Sequence, residues 1–229
     1  MDKIAIKCRG IRKHYGEGEM RVDALKEVNV DIHMGELTIL EGPSGSGKST
    51  LLSIITTILT PDAGELFLLD KEMLHISRDE RAKFCNKNLG IVFQSLFLIP
   101  TLTVAENVSL PLLVAGQPPK EADEKAMETL KMMKMDHRAA VSPSSLSKGQ
   151  QQKIAICRAI INESKILVCD EPTSALDQRA GQDTMEILKD LAKNANKAVL
   201  VVTHDHRIFS LADRIISISD GLITSGSII

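Results

Sequence analysis

Short apolar runs alternate with amphipathic stretches along most of this chain. The runs "LTIL", "KILVCDEP" and "AVLVVTHD" are compact, and the last two end in acids or in histidine. Runs of this kind are typical of parallel strands that are buried on both faces of a sheet. Between the runs, apolar residues recur at helical spacing, which predicts helices over 48–59, 149–162 and 180–193.

The amino-terminal third and the carboxyl end add further strands. The alternating segment "IAIKCRGIRKHYG" predicts a strand that enters a turn at Gly16, and "VDALKEVNVDIH" predicts a second strand before a turn at Met34 and Gly35. Short strands are predicted at "GELFLLD" and "LGIVFQ", with a helix over 78–87 between them. The segment "RIISISDGLI" predicts a closing strand pair with Asp220 and Gly221 at its turn.

The stretch from residue 95 to about residue 145 is helical in texture. It predicts helices over Val104–Val114 and 120–135, separated by "AGQPP". Strands that alternate with helices and are interrupted by a helical block predict an α/β fold. We expect a mainly parallel sheet and an inserted α-helical subdomain.

Composition indicates the size of the domain and the type of core, and the net charge argues against a nucleic-acid-binding protein. At 229 residues, with 43% hydrophobic and 25% charged residues, the chain is long enough for one large domain with a substantial core. Aromatic residues make up only 3%, so we expect an aliphatic core. The formal net charge of -2 argues against general nucleic-acid binding.

The cysteines and the apolar runs bear on the cellular compartment. None of Cys8, Cys85, Cys157 and Cys169 forms a C-x-x-C pair, and we interpret all four as reduced thiols in a cytosolic protein. The first ten residues hold no apolar segment typical of a signal peptide, and no apolar run approaches the ~18 residues of a membrane span. We therefore expect any attachment to a membrane to depend on a partner.

A glycine-rich loop carries the strongest chemical signal. The residues "GPSGSGKS" match G-x-x-x-x-G-K-[ST] at every fixed position, after a predicted strand and before a predicted helix, a context that disfavours a ligand-free turn. Glycines let the backbone wrap a phosphate chain, and successive N–H groups at a helix N-terminus bind anions. Lys48 would reach the β- and γ-phosphates, and the Ser49 hydroxyl would bind Mg²⁺. The predicted nucleotide-binding residues are Gly42, Pro43, Ser44, Gly45, Ser46, Gly47, Lys48, Ser49 and Thr50.

Two of the apolar runs would deliver acids and a histidine to the sheet edge near the phosphates. The run "ILVCDE" ends in Asp170, which would hold Mg²⁺ in its outer shell, and Glu171, which could polarise the attacking water. The run "VLVVTHD" delivers His204, which could touch the γ-phosphate. The alternatives are an acid pair that caps a loop and a histidine with a structural role.

Five motifs occur in a fixed order: "GPSGSGKST", "VFQ", "LSKGQ", "ILVCDEPTSALD" and "VVTHD". With this combination, the chain resembles the ATP-binding subunit of ABC transporters over nearly its whole length. The resemblance implies a P-loop NTPase fold with a RecA-like core, an N-terminal antiparallel β subdomain and the inserted helical subdomain. It implies a single domain over 1–229, with an ATP-binding core at 1–94 and 160–229 and a helical subdomain with the signature motif "LSKGQ" at 95–159.

The resemblance also implies roles for single residues, with ATP as substrate and Mg²⁺ as cofactor. Tyr15 matches the aromatic residue that stacks on adenine, and Gln94 matches the glutamine that senses Mg²⁺ and water. Glu171 matches the catalytic carboxylate, and His204 matches the γ-phosphate switch. The implied catalytic residues are Glu171, His204, Gln94 and Lys48, and the implied metal ligands are Ser49, Gln94 and Asp170.

A homodimer that packs head to tail around two ATP molecules is implied as well. Each "LSKGQ" would face the γ-phosphate held by the other copy's loop. Ser147 would give a hydroxyl, Gly149 a backbone N–H and the helix from Gln150 its N-terminal dipole. The loop 174–177, which ends at Asp177, would cross the dimer interface.

Lys148 departs from the family pattern, which usually has two glycines at this point. If position 148 needs a positive φ, a lysine costs about 1 kcal/mol or more, whereas helical or extended angles cost little. We interpret Lys148 as a side chain that points to solvent and leaves the backbone N–H unchanged; the alternative is a cation near the γ-phosphate. The other signature residues are intact, so we predict a working ATPase site.

The segments "THDHRIFSLADRIISISDGLI" and "FQSLFLIPTLTVAENVSLPLL" resemble the family branch of lipoprotein release, macrolide export and heterocyst glycolipid export. This implies a cytoplasmic ATPase, peripheral on the inner face of the cell membrane, that drives a separate permease with a large extracytoplasmic domain. A membrane-fusion adaptor is a further implied partner, and no nucleic acid is expected. Three alternatives stay open: a cell-division or signalling module that moves no substrate, a soluble ABC ATPase acting on DNA or ribosomes, and a nucleotide-binding switch without turnover.

Overall fold

The computed structural model describes residues 3–228, which form two β-sheets and a set of helices. The strands are β1 (Ile4–Tyr15), β2 (Val22–His33), β3 (Leu37–Glu41), β4 (Ala63–Leu68), β5 (Lys71–Glu72), β6 (Leu89–Val92), β7 (Ile166–Asp170), β8 (Ala198–Val202), β9 (Arg214–Ser219) and β10 (Leu222–Ile228). The α-helices are α1 (Lys48–Ile55), α2 (Arg78–Asn88), α3 (Val104–Val114), α4 (Pro119–Met132), α5 (Lys148–Ile160) and α6 (Gln178–Lys193).

The larger sheet has the strand order β10-β9-β3-β8-β7-β6. Strands β9 to β6 run parallel, and β10 pairs with β9 in the antiparallel direction at one edge. Alternate residues of its inner strands belong to different hydrophobic cores: Leu167 and Cys169 of β7 face one core, whereas Ile166 and Val168 face the other. This burial on both faces is the physical reason why these strands read as continuous apolar runs.

Different layers cover the two faces of this sheet. One core is shared with α1 and with a four-stranded antiparallel sheet of order β2-β1-β4-β5, and the other core is shared with α3, α4, α5 and α6. The predicted α/β architecture, with a mainly parallel sheet and an amino-terminal antiparallel sheet, is therefore confirmed. In residues 3–228, no helix combines the length and the apolar character needed to cross a membrane.

Several element boundaries differ from the prediction. Helix α1 ends at Ile55 rather than at residue 59, because Thr57 takes a left-handed φ of 60° and its N–H bonds to the Ile54 carbonyl. Helix α4 ends at Met132, just before Lys134, which is also left-handed with a φ of 57°. The two-residue strand β5 was not predicted, because it is too short to show any alternation.

The cysteines are free thiols, as predicted, and three of them are buried. Burial raises the pKa of Cys8 and of Cys157 to about 12, and it raises the pKa of Cys169 as well. These three thiols are therefore protonated at neutral pH and pack as small apolar side chains.

Candidate functional site

The glycine-rich loop joins the end of β3 to the start of α1, and its backbone passes close to other main-chain atoms. Gly47 has a φ of 104°, and a Cβ atom there would lie 2.5 Å from the carbonyl oxygen of Ala24. At Gly42, with a φ of 154°, a Cβ would lie 2.1 Å from the carbonyl oxygen of Ile218. Neither position can hold a larger residue without moving the backbone.

Lys48 is the first residue of α1 and lies across the loop. Its Nζ donates hydrogen bonds to the carbonyl oxygens of Gly42, at 2.6 Å, and Pro43, at 2.8 Å. Ser46 is buried beneath the loop, and its hydroxyl has no hydrogen-bond partner within residues 3–228. The ammonium group and the N-terminus of α1 make this end of the site electropositive, as an anion site requires.

A cavity of about 510 Å³ opens in front of the loop. Across from the loop, its wall is formed by the ends of parallel strands, as expected from their topology. Asp170 is the last residue of β7, and Gln94 lies two residues beyond β6. The residues lining the cavity are Ala24, Gly42, Pro43, Ser44, Gly45, Gly47, Lys48, Ser49, Thr50, Gln94, Asp170, Glu171, Val202 and His204.

The electrostatics of Asp170 reflect its position at the bottom of this wall. Burial is the largest cause of a raised pKa for Asp170, and the neighbouring charge of Glu171 adds to it. The charge of Lys48 acts in the opposite direction and lowers the pKa. A positive ion placed among these groups would favour the ionised carboxylate.

Glu171 and His204 form a direct pair at the mouth of the cavity. His204 Nδ1 lies 2.7 Å from Glu171 Oε1, and the Glu171 side chain is only 12% exposed. Glu171 has a left-handed φ of 47°, which costs about 1–3 kcal/mol for a residue other than glycine. Hydrogen bonds hold this backbone: the Glu171 N–H donates to the Val202 carbonyl at 2.8 Å, and the Glu171 carbonyl accepts from the Ser174 hydroxyl at 3.0 Å.

The signature segment lies outside the cavity, at the N-terminus of α5. Ser147 caps this helix: its Oγ accepts from the Gln150 N–H at 3.3 Å, and its own N–H donates to Gln150 Oε1 at 3.0 Å. This reciprocal pair is a capping box, and the S-x-x-Q spacing could have revealed it in the sequence. Ser147 is exposed, and Gly149 packs so close to α6 that a Cβ atom would lie 3.3 Å from the Ala180 Cβ.

Lys148 occupies the first position of α5 with ordinary helical geometry. It is not among the residues with positive φ, so the conformational penalty considered for a lysine at this position does not arise. The side chain is exposed and makes no hydrogen bond or ion pair with residues 3–228. It lines a second groove, of about 290 Å³, whose walls also include Gln94, Phe97 and Glu171.

Two other predicted site residues also lie away from the cavity in front of the glycine-rich loop. Tyr15 ends β1, pairs with Val22 across the β1–β2 ladder and is 47% exposed. Asp177 caps α6 by accepting from the Ala180 N–H at 2.9 Å, and the preceding residues, Ser174 and Ala175, are exposed. The structure thus gathers the loop, Gln94, the acid pair and His204 into one cavity, and leaves Tyr15, the signature and the 174–177 loop on the surface around it.

Three polar residues at the site were not predicted. Arg158, near the end of α5, donates to the carbonyl oxygens of Leu96 and Phe97, in the segment that follows Gln94. Thr203 and Asp205 flank His204. The Thr203 hydroxyl donates to Glu171 Oε2, and the Asp205 N–H donates to Thr203 Oγ1. In the sequence, the only signal for Thr203 and Asp205 is that they lie next to His204. Their contacts join distant parts of the chain, so the sequence does not reveal them.

Comparison with known proteins decides the family. Residues 25–174, more than half of the chain, match the family model described as ABC transporter. The chain belongs to this ATP-binding cassette family. The cassette is 40% identical, over 220 residues, to the macrolide export ATP-binding/permease protein MacB of Brucella abortus (strain 2308). The match covers 96% of the cassette but only 34% of that protein, so the cassette spans about a third of this relative's length.

Solved structures of ABC transporter cassettes have the same fold as this chain. A bacterial ABC transporter cassette, MJ0796, was solved as a dimer and is 40% identical, with a TM-score of 0.89 over 97% of the cassette and 98% of that chain. A second dimeric structure of MJ0796, in a post-hydrolysis state bound to ADP and Pi, gives a TM-score of 0.88 at 39% identity over the same shares of both chains. CbiO1 of Clostridium perfringens, part of the ABC transporter complex cbiONQ, matches at 28% identity and a TM-score of 0.88, over 99% of the cassette and 89% of that chain.

These likenesses confirm the predicted family and the P-loop NTPase fold. The cassette is an ATPase, and it binds nucleotide.

Proposed function

We propose that the cassette hydrolyses ATP in a head-to-tail homodimer and drives a membrane permease. One observation carries this proposal: the glycine-rich loop and the acid pair line the same cavity, whereas the signature segment lies outside it with Ser147 and Lys148 exposed. A capped helix N-terminus with an exposed serine can complete a phosphate site only if a second copy brings it there. The dimeric structures of MJ0796 support the pairing of two copies.

ATP would bind with its phosphates in the 42–49 loop and its base toward Tyr15. A chain of phosphates fits the cavity in front of Gly42 and Gly47, which we call the phosphate cavity. The backbone approaches closely at both glycines, and the Lys48 ammonium lies beside them. The unpartnered hydroxyl of Ser46 adds a donor at the base of the loop. Ser147, Gly149, Gln150 and Asp177 of the other copy would close the site from the opposite side.

Ser49, Gln94 and Asp170 would hold Mg²⁺, which when bound neutralises charge on the phosphates. All three offer oxygen atoms and line the same cavity. Residues 3–228 contain no cluster of three or more His, Cys, Asp or Glu side chains that could hold a metal ion by itself. This donor set fits Mg²⁺, which usually keeps waters and phosphate oxygens as ligands beside one or two protein groups.

Glu171 would accept a proton from the attacking water. Its carboxylate is mostly buried beside the cavity, and one of its oxygens contacts His204 while the other accepts a hydrogen bond from Thr203. Such a carboxylate has a defined direction, which general base catalysis requires. His204 is 72% exposed and would turn toward the γ-phosphate when nucleotide binds.

The surface beside Gln94 is suited to a permease. The aromatic side chain of Phe97 is 66% exposed. Its backbone has a left-handed φ of 47°, and its carbonyl accepts a hydrogen bond from Arg158. Gln94 and Glu171 also line the groove beside Phe97. A segment docked in this groove would therefore move when these two residues move. We propose that this groove, with the segment 95–114, receives a cytoplasmic segment of the permease.

The likeness to MacB, a macrolide export ATP-binding/permease protein, supports an export system. We propose that the system exports its substrate or acts in the periplasm, that its permease has a large extracytoplasmic domain and that it works with a membrane-fusion adaptor. The cassette would then lie on the inner face of the cell membrane. A cell-division or signalling module that docks on a related permease is the second candidate, because the same groove would serve it. Action on DNA or ribosomes is disfavoured by the net charge of -2.

The decisive experiment uses Glu171→Gln, which keeps the shape of the side chain but removes the base. We expect hydrolysis to fall at least ~100-fold and the chain to run as an ATP-bound dimer in size-exclusion chromatography with ATP and Mg²⁺. The matched control is Glu128→Gln, an exposed glutamate on α4 away from the cavity. Unchanged hydrolysis would remove Glu171 from the catalytic role, and a monomer at saturating ATP would overturn the dimer.

The tagged Glu171→Gln chain also identifies the partner. It is purified from detergent-solubilised membranes with ATP and Mg²⁺, and the co-purifying proteins are identified by mass spectrometry. A permease with a large extracytoplasmic domain together with an adaptor is expected for export, whereas a cell-wall hydrolase in place of the adaptor indicates division. Ribosomal proteins or DNA-repair factors without a multi-span protein would overturn the transport proposal.

A further inference from the structure

A buried hydroxyl lies directly behind the Glu171 carboxylate. Thr203 follows β8 and is fully buried, and its Oγ1 lies 3.2 Å from Glu171 Oε2. The same oxygen lies 3.1 Å from the backbone nitrogen of Asp205. The Thr203 N–H donates to the Leu40 carbonyl of β3, so the residue is anchored to the parallel sheet.

The direction of the Thr203 hydrogen bond is forced by its second partner. The Asp205 N–H can only donate, so Thr203 Oγ1 must accept from it. A hydroxyl carries one proton, which is then left for Glu171 Oε2. With His204 Nδ1 at 2.7 Å from Oε1, both oxygens of the carboxylate are engaged, and its plane is set by two groups on the same loop.

Asp205 ties this loop to the chain that follows Glu171. Its Oδ2 accepts from the Thr173 hydroxyl at 3.3 Å, and both of its carboxylate oxygens accept from the Arg207 guanidinium at 2.8 Å. Hydrogen bonds therefore close a ring from Glu171 through Thr203 and Asp205 to Thr173, two residues after Glu171. This ring resists rotation of the Glu171 side chain and also supports its left-handed backbone.

We infer that Thr203 is a positioning residue for ATP hydrolysis, which orients the Glu171 carboxylate toward the phosphate cavity. The inference rests on the proposed role of Glu171 as the base. A carboxylate held by two donors faces the water in one fixed orientation and can accept its proton there, whereas a carboxylate held only by the exposed His204 can rotate away from the water. Thr203 does not line the phosphate cavity, so its loss should change turnover and leave nucleotide binding intact.

The test compares Thr203→Val with Thr203→Ser. Valine keeps the shape of threonine and removes the hydroxyl, whereas serine keeps the hydroxyl. For Thr203→Val we expect kcat to fall about tenfold or more, as for the loss of one hydrogen bond to a charged group, with the KM for ATP unchanged within about twofold. For Thr203→Ser we expect kcat to stay within about threefold of the original.

The matched control is Thr184→Val. Thr184 is also buried, and its hydroxyl donates to the Ala180 carbonyl within α6, away from the phosphate cavity. This variant should lose a similar hydrogen bond and keep its kcat. Melting temperatures of all variants show that the chains are folded, and if Thr203→Val fails to fold, Thr203→Ala replaces it with the same expected loss.

Two outcomes overturn the inference: Thr203→Val that keeps more than half of the original kcat, or Thr203→Ser that loses as much as Thr203→Val. Glu171→Gln, measured beside them, separates this failure from failure of the proposed function. If Glu171→Gln abolishes hydrolysis but Thr203→Val does not reduce it, the role of Thr203 alone is wrong. If Glu171→Gln hydrolyses ATP normally, the assignment of Glu171 falls, and the role of Thr203 falls with it.

Discussion

The loop at 42–49 and the signature segment at 147–150 each present small polar residues at the N-terminus of a helix, but their surroundings differ. The loop closes around a cavity that the same chain completes with an acid pair, a glutamine and a histidine. Ser147 and Lys148 of the signature segment are exposed, and Ser147 and Gln150 bond to each other across the first turn of α5. The first region lines a cavity that is already formed in one chain, and the second is a capped helix end at the surface.

This difference suggests where ATP binding and ATP hydrolysis are controlled. Binding to the loop should depend on contacts within one copy, since that copy supplies the cradle. Hydrolysis should require the second copy, because only then would the signature meet the phosphates. Substitutions in the two regions should therefore separate affinity from turnover.

The largest effect is expected from Gly47→Ala. The new methyl group would lie 2.5 Å from the Ala24 carbonyl at a φ of 104°, so the loop must move out of its present shape. We expect the affinity for ATP, measured by titration with a fluorescent analogue, to fall ~100-fold or more. Gly116→Ala is the control, because Gly116 also has a positive φ, of 84°, but has open space around it and is remote from the loop. Normal affinity in Gly47→Ala would mean that the loop is not the phosphate cradle.

Ser147→Ala should affect hydrolysis without affecting binding to the free chain. It removes the hydroxyl proposed to reach the partner's phosphate and also the cap of α5, a loss of about 1 kcal/mol of unfolding free energy. We expect kcat to fall about tenfold and the ATP affinity of the monomer to stay within about twofold. Thr103→Ala, which removes the equivalent cap of α3, controls for the loss of stability. An equal fall in kcat in both variants would contradict a role of Ser147 in the dimer.

Lys148→Gly should have the smallest effect of the three. Lys148 has ordinary helical geometry and an exposed side chain, so glycine relieves no strain and costs at most about 1 kcal/mol of helix stability. We expect turnover to stay within about threefold and the melting temperature to fall slightly. A rise in turnover of tenfold or more would mean that the native lysine impairs the site. A fall of the same size would favour the alternative in which its charge acts on the phosphate.

Much of the fold and of the cavity could be predicted because the signals are local. The apolar runs of β3, β7 and β8 are continuous since both faces of these strands are buried, and parallel strands end at one edge of the sheet. That rule brings Asp170 and His204 to the glycine-rich loop without any knowledge of contacts. Strand β5 and the end of α1 were missed, because a two-residue strand has no period and a left-handed threonine gives no warning in the sequence.

The glycine-rich loop, most of the order of strands and helices and the residues that meet at the sheet edge could be predicted from the amino acids alone, because spacing and short-range geometry decide them. The left-handed backbone of Glu171, the position of Thr203 behind its carboxylate and the helical geometry of Lys148 are visible only in the folded chain. The first two features depend on a contact between the segment after β7 and the segment after β8, which are more than 30 residues apart in the sequence. The direction of a buried hydrogen bond is set by the partners that the fold brings to it, and those partners are distant in sequence.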